Sequence, residues 1–414
     1  AQDWWRSFGS AELDALVEQA RRHSLDVAAA AARVRQAEAV ARQAGAALVP
    51  VVAASLQSSR EGRAGGHAAV AGNHHGAQLW ASYEVDFWGR NRAAREAARA
   101  DWQASTFDRD TVQLTVAAGV ASTWLLAVAL HERGAIAESN LGSAERLLHW
   151  MEARSRAGAA TALELAQQRG LVASQCRAVA ALRQQAGEAR AALALLLGQP
   201  APALAVGPAT WAGVQEPRVG AGWPTRRLVQ RPDIARAEAQ LAAADAQVAV
   251  ARAAMLPSLT LTAGLGTGGE RLSRLLDNPL YSLAAGLAAP VFDAGRLAAG
   301  TDLARARREE LLAGYRQHIV AAFADVEVAL DAAARLAEQS AAQDQELQQA
   351  QRALALAESR YRAGAETLLT LLDAQRTLYA AQDMAVQLRL ARLQASVSLY
   401  RAFGGGWSPS VTTY

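Results

Sequence analysis

Hydrophobic and polar positions change their spacing in the same order twice along the chain. Residues 24–45 and 231–254 are rich in Ala, Gln, Arg and Glu, which indicates helices. Each segment runs into a proline, Pro50 or Pro257, after which hydrophobic residues take every second position. This period of two predicts two strands in each half, at about 51–60, 78–87, 258–266 and 281–289. Glycine-rich loops are expected at 61–77 and 267–280.

After the second strand of each half, the pattern is helical for more than a hundred residues. These stretches, 93–197 and 296–403, are interrupted near an Arg-Ala-Gly sequence that ends at Gly158 and at Gly364. Each stretch predicts a helical hairpin whose turn is capped by the glycine. At 1.5 Å per residue, the first arm would be roughly 90 Å long, which is far longer than a helix of a globular domain.

The two halves are copies of one unit. The twelve residues from Arg154 and the twelve from Arg360 share eight identities at an offset of 206 residues. So long a period indicates a duplicated half-protein and not a short solenoid repeat. The predicted organisation is an N-terminal segment at 1–23, repeat 1 at 24–197, a proline-rich connector at 198–224, repeat 2 at 225–404 and a C-terminal tail at 405–414.

Composition and charge exclude several classes of protein. The chain has 103 alanines among 414 residues, which suits closely packed helices better than thick globular cores. Its 42 basic residues are all arginine and are interspersed with 39 acidic residues, so no nucleic-acid-binding face is expected. The single Cys176 excludes an internal disulfide. The longest apolar stretch, 116–130, is about 15 residues and too short for a spanning helix.

The number of strands points to oligomerisation. Four strands of about ten residues suit a membrane β-barrel in length but are too few to close one. Three copies would supply twelve strands, and no open edge would then remain in lipid. Small and polar side chains would face the water-filled lumen, namely Gln78, Ser82, Glu84, Ser258, Thr260 and Thr262.

Several motifs, present in order and partly twice, carry a resemblance to a known family. They include Asp-Phe-Trp-Gly-Arg at 86–90, Gln-Arg-Pro-Asp-Ile at 230–234, Pro-Val-Phe-Asp-Ala-Gly-Arg at 290–296, and the two Arg-Ala-Gly turns. Over nearly its whole length the chain resembles the TolC-like outer-membrane efflux proteins, in particular their lipoprotein (NodT-like) branch. The fold implied is mainly α, with a trimer that forms a twelve-stranded barrel and a long α-helical periplasmic barrel. The N-terminal segment, the connector and the C-terminus would form an equatorial belt.

The resemblance also implies function, partners and location. It implies the exit duct of a tripartite efflux pump in the outer membrane of a Gram-negative bacterium, with most of the chain in the periplasm. The implied partners are two further copies of the chain, a periplasmic adaptor protein, an inner-membrane transporter of the RND type and outer-membrane lipid. Neither a metal nor another cofactor is expected. The lipoprotein branch carries a lipid on an N-terminal cysteine, which would lie upstream of Ala1.

The resemblance places a gate at the periplasmic ends of the hairpins. Asp373 matches a position that forms an acidic ring in the family, and Thr370 takes a neighbouring position that is acidic in some relatives. One ring of three Asp373 side chains is therefore expected. Tyr361 and Glu164 match positions that link neighbouring helices in the closed state. The adaptor is expected to contact the hairpin turns at Arg156, Gly158, Thr161, Arg362, Gly364 and Thr367.

Other conspicuous residues have structural interpretations beside functional ones. Trp80 and Trp88 bracket a predicted strand and are candidates for the aromatic girdle at the membrane interfaces, or for packing at the helix junction. His67, His74 and His75 lie in a predicted loop with no acidic or cysteine partner nearby, which argues against a metal site.

Two readings of the whole chain compete with an export duct. The first is a soluble coiled-coil scaffold, which would leave four symmetrically placed amphipathic strands unexplained. The second is an enzyme, and the sequence has no recognisable catalytic constellation. The exported substrate is not encoded in any motif of the chain.

Overall fold

The computed structural model describes residues 3–67, 72–158, 160–204, 211, 213–217 and 231–406. Most of the predicted connector (198–224) and tail (405–414), and residues 68–71 of the first loop, lie outside the described residues. A short 3-10 helix, Trp4–Phe8, comes first. The main elements that follow are α1 (Ala11–His23), α2 (Leu25–Ala46), β1 (Val51–Arg60), β2 (Asn73–Val85), α3 (Arg90–Arg156), α4 (Ala162–Leu196), α5 (Pro232–Ala253), β3 (Ser258–Gly269), β4 (Pro279–Ala288), α6 (Arg296–Arg362) and α7 (Leu368–Ala402).

The duplication seen in the sequence is present in the structure. Helices α3 and α6 each have 67 residues, and α4 and α7 each have 35. The long helices begin at Arg90 and Arg296, and the helices after the turns begin at Ala162 and Leu368. Both pairs are separated by the same 206 residues as the repeated motif. The prediction of duplicated half-repeats is therefore confirmed.

The chain divides into two compact units. The first contains both hairpin turns and comprises Ala1–Ala30, Arg109–Pro232 and Ile319–Tyr414. The second contains the four strands and comprises Ala31–Asp108 and Asp233–His318. Each unit is discontinuous in sequence because the duplicated halves contribute to both of them.

The four strands form one antiparallel sheet in the order β1-β2-β3-β4. The second strand begins at Asn73, five residues before the start predicted at 78, and β3 continues to Gly269. The pairs Arg60↔Asn73 and His75↔Gly269 extend the ladder through polar and glycine residues. Glycine and asparagine are poor strand formers, so the sequence pattern alone placed these residues in loops.

The register gives the sheet one apolar and one polar face. Side chains of directly paired residues project from the same face, and successive residues alternate between faces. The apolar face has Leu79, Ala81, Tyr83 and Val85 from β2, paired with Leu265, Ala263, Leu261 and Leu259 from β3. The polar face has Gln78, Trp80, Ser82 and Glu84 from β2, paired with Gly266, Gly264, Thr262 and Thr260.

The Gly-Arg motifs form the junctions between strands and long helices. The Asp86 carboxylate accepts hydrogen bonds from the backbone N–H groups of Asn91 (2.9 Å) and Arg92 (3.0 Å), at the start of α3. In the second repeat the Asp293 carboxylate accepts from Gly295 (3.0 Å) and Leu297 (2.9 Å), at the start of α6. These aspartates satisfy N–H groups that a helix N-terminus would otherwise leave unpaired. The repeated motif thus has a structural role.

The largest hydrophobic core lies in the first unit. The N-terminal residues Trp4, Trp5 and Phe8 are buried in it together with α1. The Trp4 ring stacks on Tyr400 of α7, with ring centroids 5.3 Å apart. The remaining core comes from the middle of α3, the end of α4 and the second half of α7, including Val120, Trp124, Leu125, Leu193, Leu197 and Val397.

Helix α3 contains an apolar stretch longer than the roughly 15 residues expected from the sequence. An 18-residue window in this helix is long and apolar enough to cross a membrane by length and composition alone, with a mean hydropathy of 1.7. The sequence pattern had predicted no stretch of that length. Half of the window is buried inside the protein, as expected for a helix that packs in a hydrophobic core. This stretch is weak evidence for a spanning helix.

Candidate functional site

The first hairpin turn joins α3 to α4 and is closed by a capping box. Gly158 has a φ of +73°, a left-handed conformation that favours glycine. Thr161 is the N-cap of α4, and its Oγ1 accepts a hydrogen bond from the Glu164 N–H (3.2 Å). The Glu164 carboxylate accepts in return from the Thr161 N–H (2.7 Å) and hydroxyl (3.0 Å). This reciprocal arrangement fixes the start of α4.

The second turn joins α6 to α7 with an equivalent glycine and threonine cap but a different acidic residue. Gly364 also has a φ of +73°, and Thr367 is the N-cap of α7. Thr370 stands where Glu164 stands in the first repeat, and the carboxylate comes from Glu366, next to the cap. Glu366 accepts hydrogen bonds from the Thr367 N–H (3.2 Å) and the Thr370 hydroxyl (3.1 Å). Both bonds lower the pKa of Glu366, and Arg360 at 3.4 Å lowers it further.

Tyr361 lies in a cluster of aromatic and arginine side chains close to the second turn. It is only 7% exposed, and its ring meets Trp150 of α3 edge to face at 5.9 Å between centroids. The Arg154 guanidinium lies 4.8 Å from the Trp150 ring centroid and 5.9 Å from that of Tyr361. Burial raises the pKa of Tyr361, and the charge of Glu164 raises it further, against the opposing effect of Arg154.

The expected bond between Tyr361 and Glu164 remains a prediction. Within the described residues of a single chain, no hydrogen bond joins these two side chains, and Glu164 Oε2 accepts from its own cap at Thr161. The two groups are near enough for the Glu164 charge to affect the pKa of Tyr361.

Asp373 lies in the second turn of α7 and is exposed. Its neighbours Leu372 and Gln375 are buried, whereas Thr370 and Thr377 share its exposed face. The equivalent residue of the first repeat is Gln167. Of the two equivalent positions in each chain, only the one in α7 is therefore acidic, and a trimer would have three carboxylates at the Asp373 position.

A further ion pair joins α3 to α7 and was not predicted from the sequence. The Arg133 Nε and Nη2 atoms lie 2.6 and 3.1 Å from the two carboxylate oxygens of Asp383. The amide of Gln387 donates to the same carboxylate at 2.6 Å. The pair borders a cleft of about 490 Å³ between α3, α4 and α7. Because 250 residues separate the partners, no local spacing in the sequence signalled the contact.

The two tryptophans predicted at the membrane interfaces lie in different environments. Trp80 is on the polar face of the sheet with Gln78 and Ser82, whereas a girdle residue would lie on the apolar face. Trp88 lies after the end of β2, where its Nε1 donates to the Pro257 carbonyl (2.7 Å) and its ring contacts Phe87 edge to face. This is the packing at the helix junction that was the alternative for Trp88.

The histidines are placed differently from the sequence prediction. His74 and His75 belong to β2 and not to a loop, and His75 Nδ1 is 2.9 Å from the Ser58 hydroxyl of β1. His67 is exposed. In the part of the chain that the structure describes, no group of three or more His, Cys, Asp or Glu side chains is arranged to hold a metal ion.

Comparisons with known proteins agree with this architecture. The family model described as outer membrane efflux protein matches residues 16–199 and 223–405. The chain is 52% identical to the pyoverdine export outer membrane protein OpmQ of Pseudomonas aeruginosa, over 98% of this chain and 88% of OpmQ. It is 31% identical to the cation efflux system protein CusC of Escherichia coli K12, over 97% of this chain and 88% of CusC.

Solved structures of similar proteins have the same fold. A crystal structure of CusC matches with a TM-score of 0.89 at 31% identity, over 97% of this chain and 94% of that one. The outer-membrane channel OprN matches with a TM-score of 0.91 at 28% identity, over 99% and 93%. The chain therefore belongs to the outer membrane efflux protein family, whose members are outer-membrane channels of tripartite efflux systems and form trimers.

Proposed function

We propose that the trimer passively conducts small molecules from the periplasm to the exterior and is gated at the hairpin turns. The observation that carries the gate assignment is Asp373, an exposed carboxylate in the second turn of α7 that has no acidic counterpart in the first repeat. Three such carboxylates around a narrow axis would attract cations and repel anions. A closed channel would then leak cations in preference to anions.

The hairpin turns are proposed as the contact for a periplasmic adaptor. Arg156 and Arg362 end the two long helices. A threonine that is the N-cap of the next helix follows each turn. In each turn a glycine with a positive φ and a threonine N-cap fix part of the backbone, which lowers the entropic cost of binding. An inner-membrane transporter of the RND type would supply the energy. The lipid on a cysteine upstream of Ala1 stays a prediction.

The gate is tested by replacing Asp373 in a planar lipid bilayer. We expect Asp373→Ala to lose the cation preference, measured as the reversal potential in a salt gradient, and to conduct more than the wild type. Asp373→Asn, which keeps the size and removes the charge, separates the electrostatic effect from the steric one. The control is Gln167→Ala, at the equivalent position of the first repeat.

The outcomes separate the duct from its gate. A wild-type trimer without any conductance would contradict the duct. An unchanged cation preference in both Asp373 variants would contradict the gate assignment alone. The variants would still conduct, so the duct itself would not be contradicted.

For the cargo, we propose a molecule of the pyoverdine class. The supporting observation is that identity to OpmQ, named for pyoverdine export, is 52%, against 31% for CusC, named for cation efflux. The chain is expected to restore pyoverdine in the medium of a Pseudomonas aeruginosa strain that lacks OpmQ. It is not expected to restore cation efflux to Escherichia coli that lacks CusC. The reverse result would assign the cargo to cations.

A further inference from the structure

Trp80 is the one large aromatic side chain on the polar face of the described strands. The other two, Tyr83 and Tyr281, are paired with Leu261 and Leu265 on the apolar face. Because lipid contacts the apolar face of a membrane barrel, the polar face lines its lumen. Trp80 therefore projects into the water-filled interior of the trimer, and its side chain remains 38% exposed in the chain.

The depth of Trp80 also separates it from the membrane interfaces. It lies five residues before Val85, where β2 ends on the side of the long helices. Five residues correspond to about 17 Å along the strand and, at a tilt of about 40°, to about 13 Å in depth. This is near the middle of an apolar band about 25 Å tall, whereas aromatic girdles lie at its two edges.

The surroundings of Trp80 leave its ring accessible. Its direct partners are Ala53 on β1 and Gly264 on β3, neither of which has a side chain larger than a methyl group. Small residues beside an indole provide room that larger side chains would fill. Twelve strands about 4.8 Å apart and tilted by about 40° enclose about 24 Å between backbones. Three indoles therefore line such a lumen without filling it.

An indole in this position gives the barrel only part of the stabilisation that a fully buried indole would give. The stabilisation from an apolar side chain comes from its removal from water, and part of this ring stays in contact with water. The residues that share its face on β2, such as Gln78 and Ser82, are polar. The exposed ring is, however, suited to binding flat π systems and cations, since its face carries negative charge density.

We propose that the three Trp80 side chains form a ring in the barrel lumen that binds planar aromatic cargo during its exit. The contact is stacking on the indole face, with an added cation–π attraction when the cargo is positively charged. This inference rests on the proposed function, since cargo must pass through the barrel. It assigns to Trp80 a role in cargo selectivity in place of an interface anchor.

The test uses current blocks by a planar aromatic cation, ethidium, added on the exterior side of trimers in a bilayer. Ethidium reaches the barrel from that side without passing the periplasmic turns. We expect the mean block duration to fall about fivefold in Trp80→Leu, which keeps apolar bulk without a π face. Trp80→Phe should retain most of the block, and Trp80→Gln, which matches its neighbour Gln78, should lose it as Trp80→Leu does.

Two controls isolate the aromatic contact. Tyr83→Leu removes an aromatic ring from the opposite face of the same strand and is expected to leave the ethidium block unchanged. Tetrapropylammonium, a cation without a planar ring, can make the cation–π contact but cannot stack, so its block duration is expected to fall less than that of ethidium in Trp80→Leu and Trp80→Gln.

The outcomes distinguish this inference from the duct itself. A wild-type trimer that conducts ions but shows no ethidium block, or equal block durations in wild type, Trp80→Leu and Trp80→Gln, would overturn the aromatic ring and leave the duct intact. A wild-type trimer that conducts nothing would overturn the duct. If Trp80→Leu forms no trimers, Trp80→Gln decides the question by the same durations.

Discussion

Gly198→Ala is expected to prevent stable folding, with a loss of about 3–5 kcal/mol in the free energy of unfolding. Gly198 ends α4 with a φ of +69°, which alanine adopts only with strain. An added Cβ would lie 2.3 Å from the carbonyl oxygen of His23, at the end of α1. That oxygen belongs to the backbone, so no side chain can rotate away to make room.

The effect is measured by thermal unfolding of the purified trimer, together with its yield. The matched control is Gly187→Ala within α4, where the added Cβ would have no heavy atom within 4 Å. Because glycine is a poor helix former, this control is expected to stabilise the chain by about 0.5–1 kcal/mol. Equal melting temperatures of the two variants would contradict the close approach between Gly198 and His23.

Trp124→Ala is expected to cost about 3–5 kcal/mol of unfolding free energy. The side chain is 2% exposed and lies in the largest core, next to Val120 and Leu125. Its Nε1 donates a hydrogen bond to the Glu12 carboxylate at 3.0 Å, which joins α3 to α1. The substitution therefore leaves a cavity and removes a link to the N-terminal segment.

The graded control for this prediction is Trp124→Phe, which keeps an aromatic ring and loses the N–H donor. We expect it to cost about 1–2 kcal/mol. Limited proteolysis should cleave the N-terminal segment faster in Trp124→Ala than in Trp124→Phe. If both variants unfold at the same denaturant concentration, the hydrogen bond and not the packing would dominate at this position.

The architecture was largely predictable from the sequence because it is repeated. Gly158 and Gly364 stand at equal positions in two copies, so each supports the interpretation of the other. The period of two around Leu79 and Leu261 likewise gave the faces of the strands. Patterns of this kind are local, and local patterns determine helices, turns and strand faces.

Contacts between distant residues were not predictable in the same way. The ion pair of Arg133 and Asp383 depends on how α3 packs on α7, which no spacing in the sequence encodes. The early start of β2 at Asn73 depends on backbone pairing with β1 and β3, and such pairing overrides low strand propensity.

Trp80 shows that residue type alone does not predict the environment of a side chain. Its residue type suggests a membrane interface, but its position in the alternation places it with Gln78 and Ser82. Residue type indicates a preference for an environment, whereas the register determines which environment the side chain meets. Where the two disagree, the side chain is a candidate for a functional role.

The acidic residue lies at a different position in each of the two turns, and this difference affects how many partner molecules a trimer can bind. A trimer has six hairpin turns, three with a carboxylate at Glu164 inside α4 and three with a carboxylate at Glu366 before α7. A partner that recognises the glycine and threonine cap present in both turns can occupy six positions. A partner that recognises Glu366 can occupy only three, so counting bound partners reveals which chemistry they recognise.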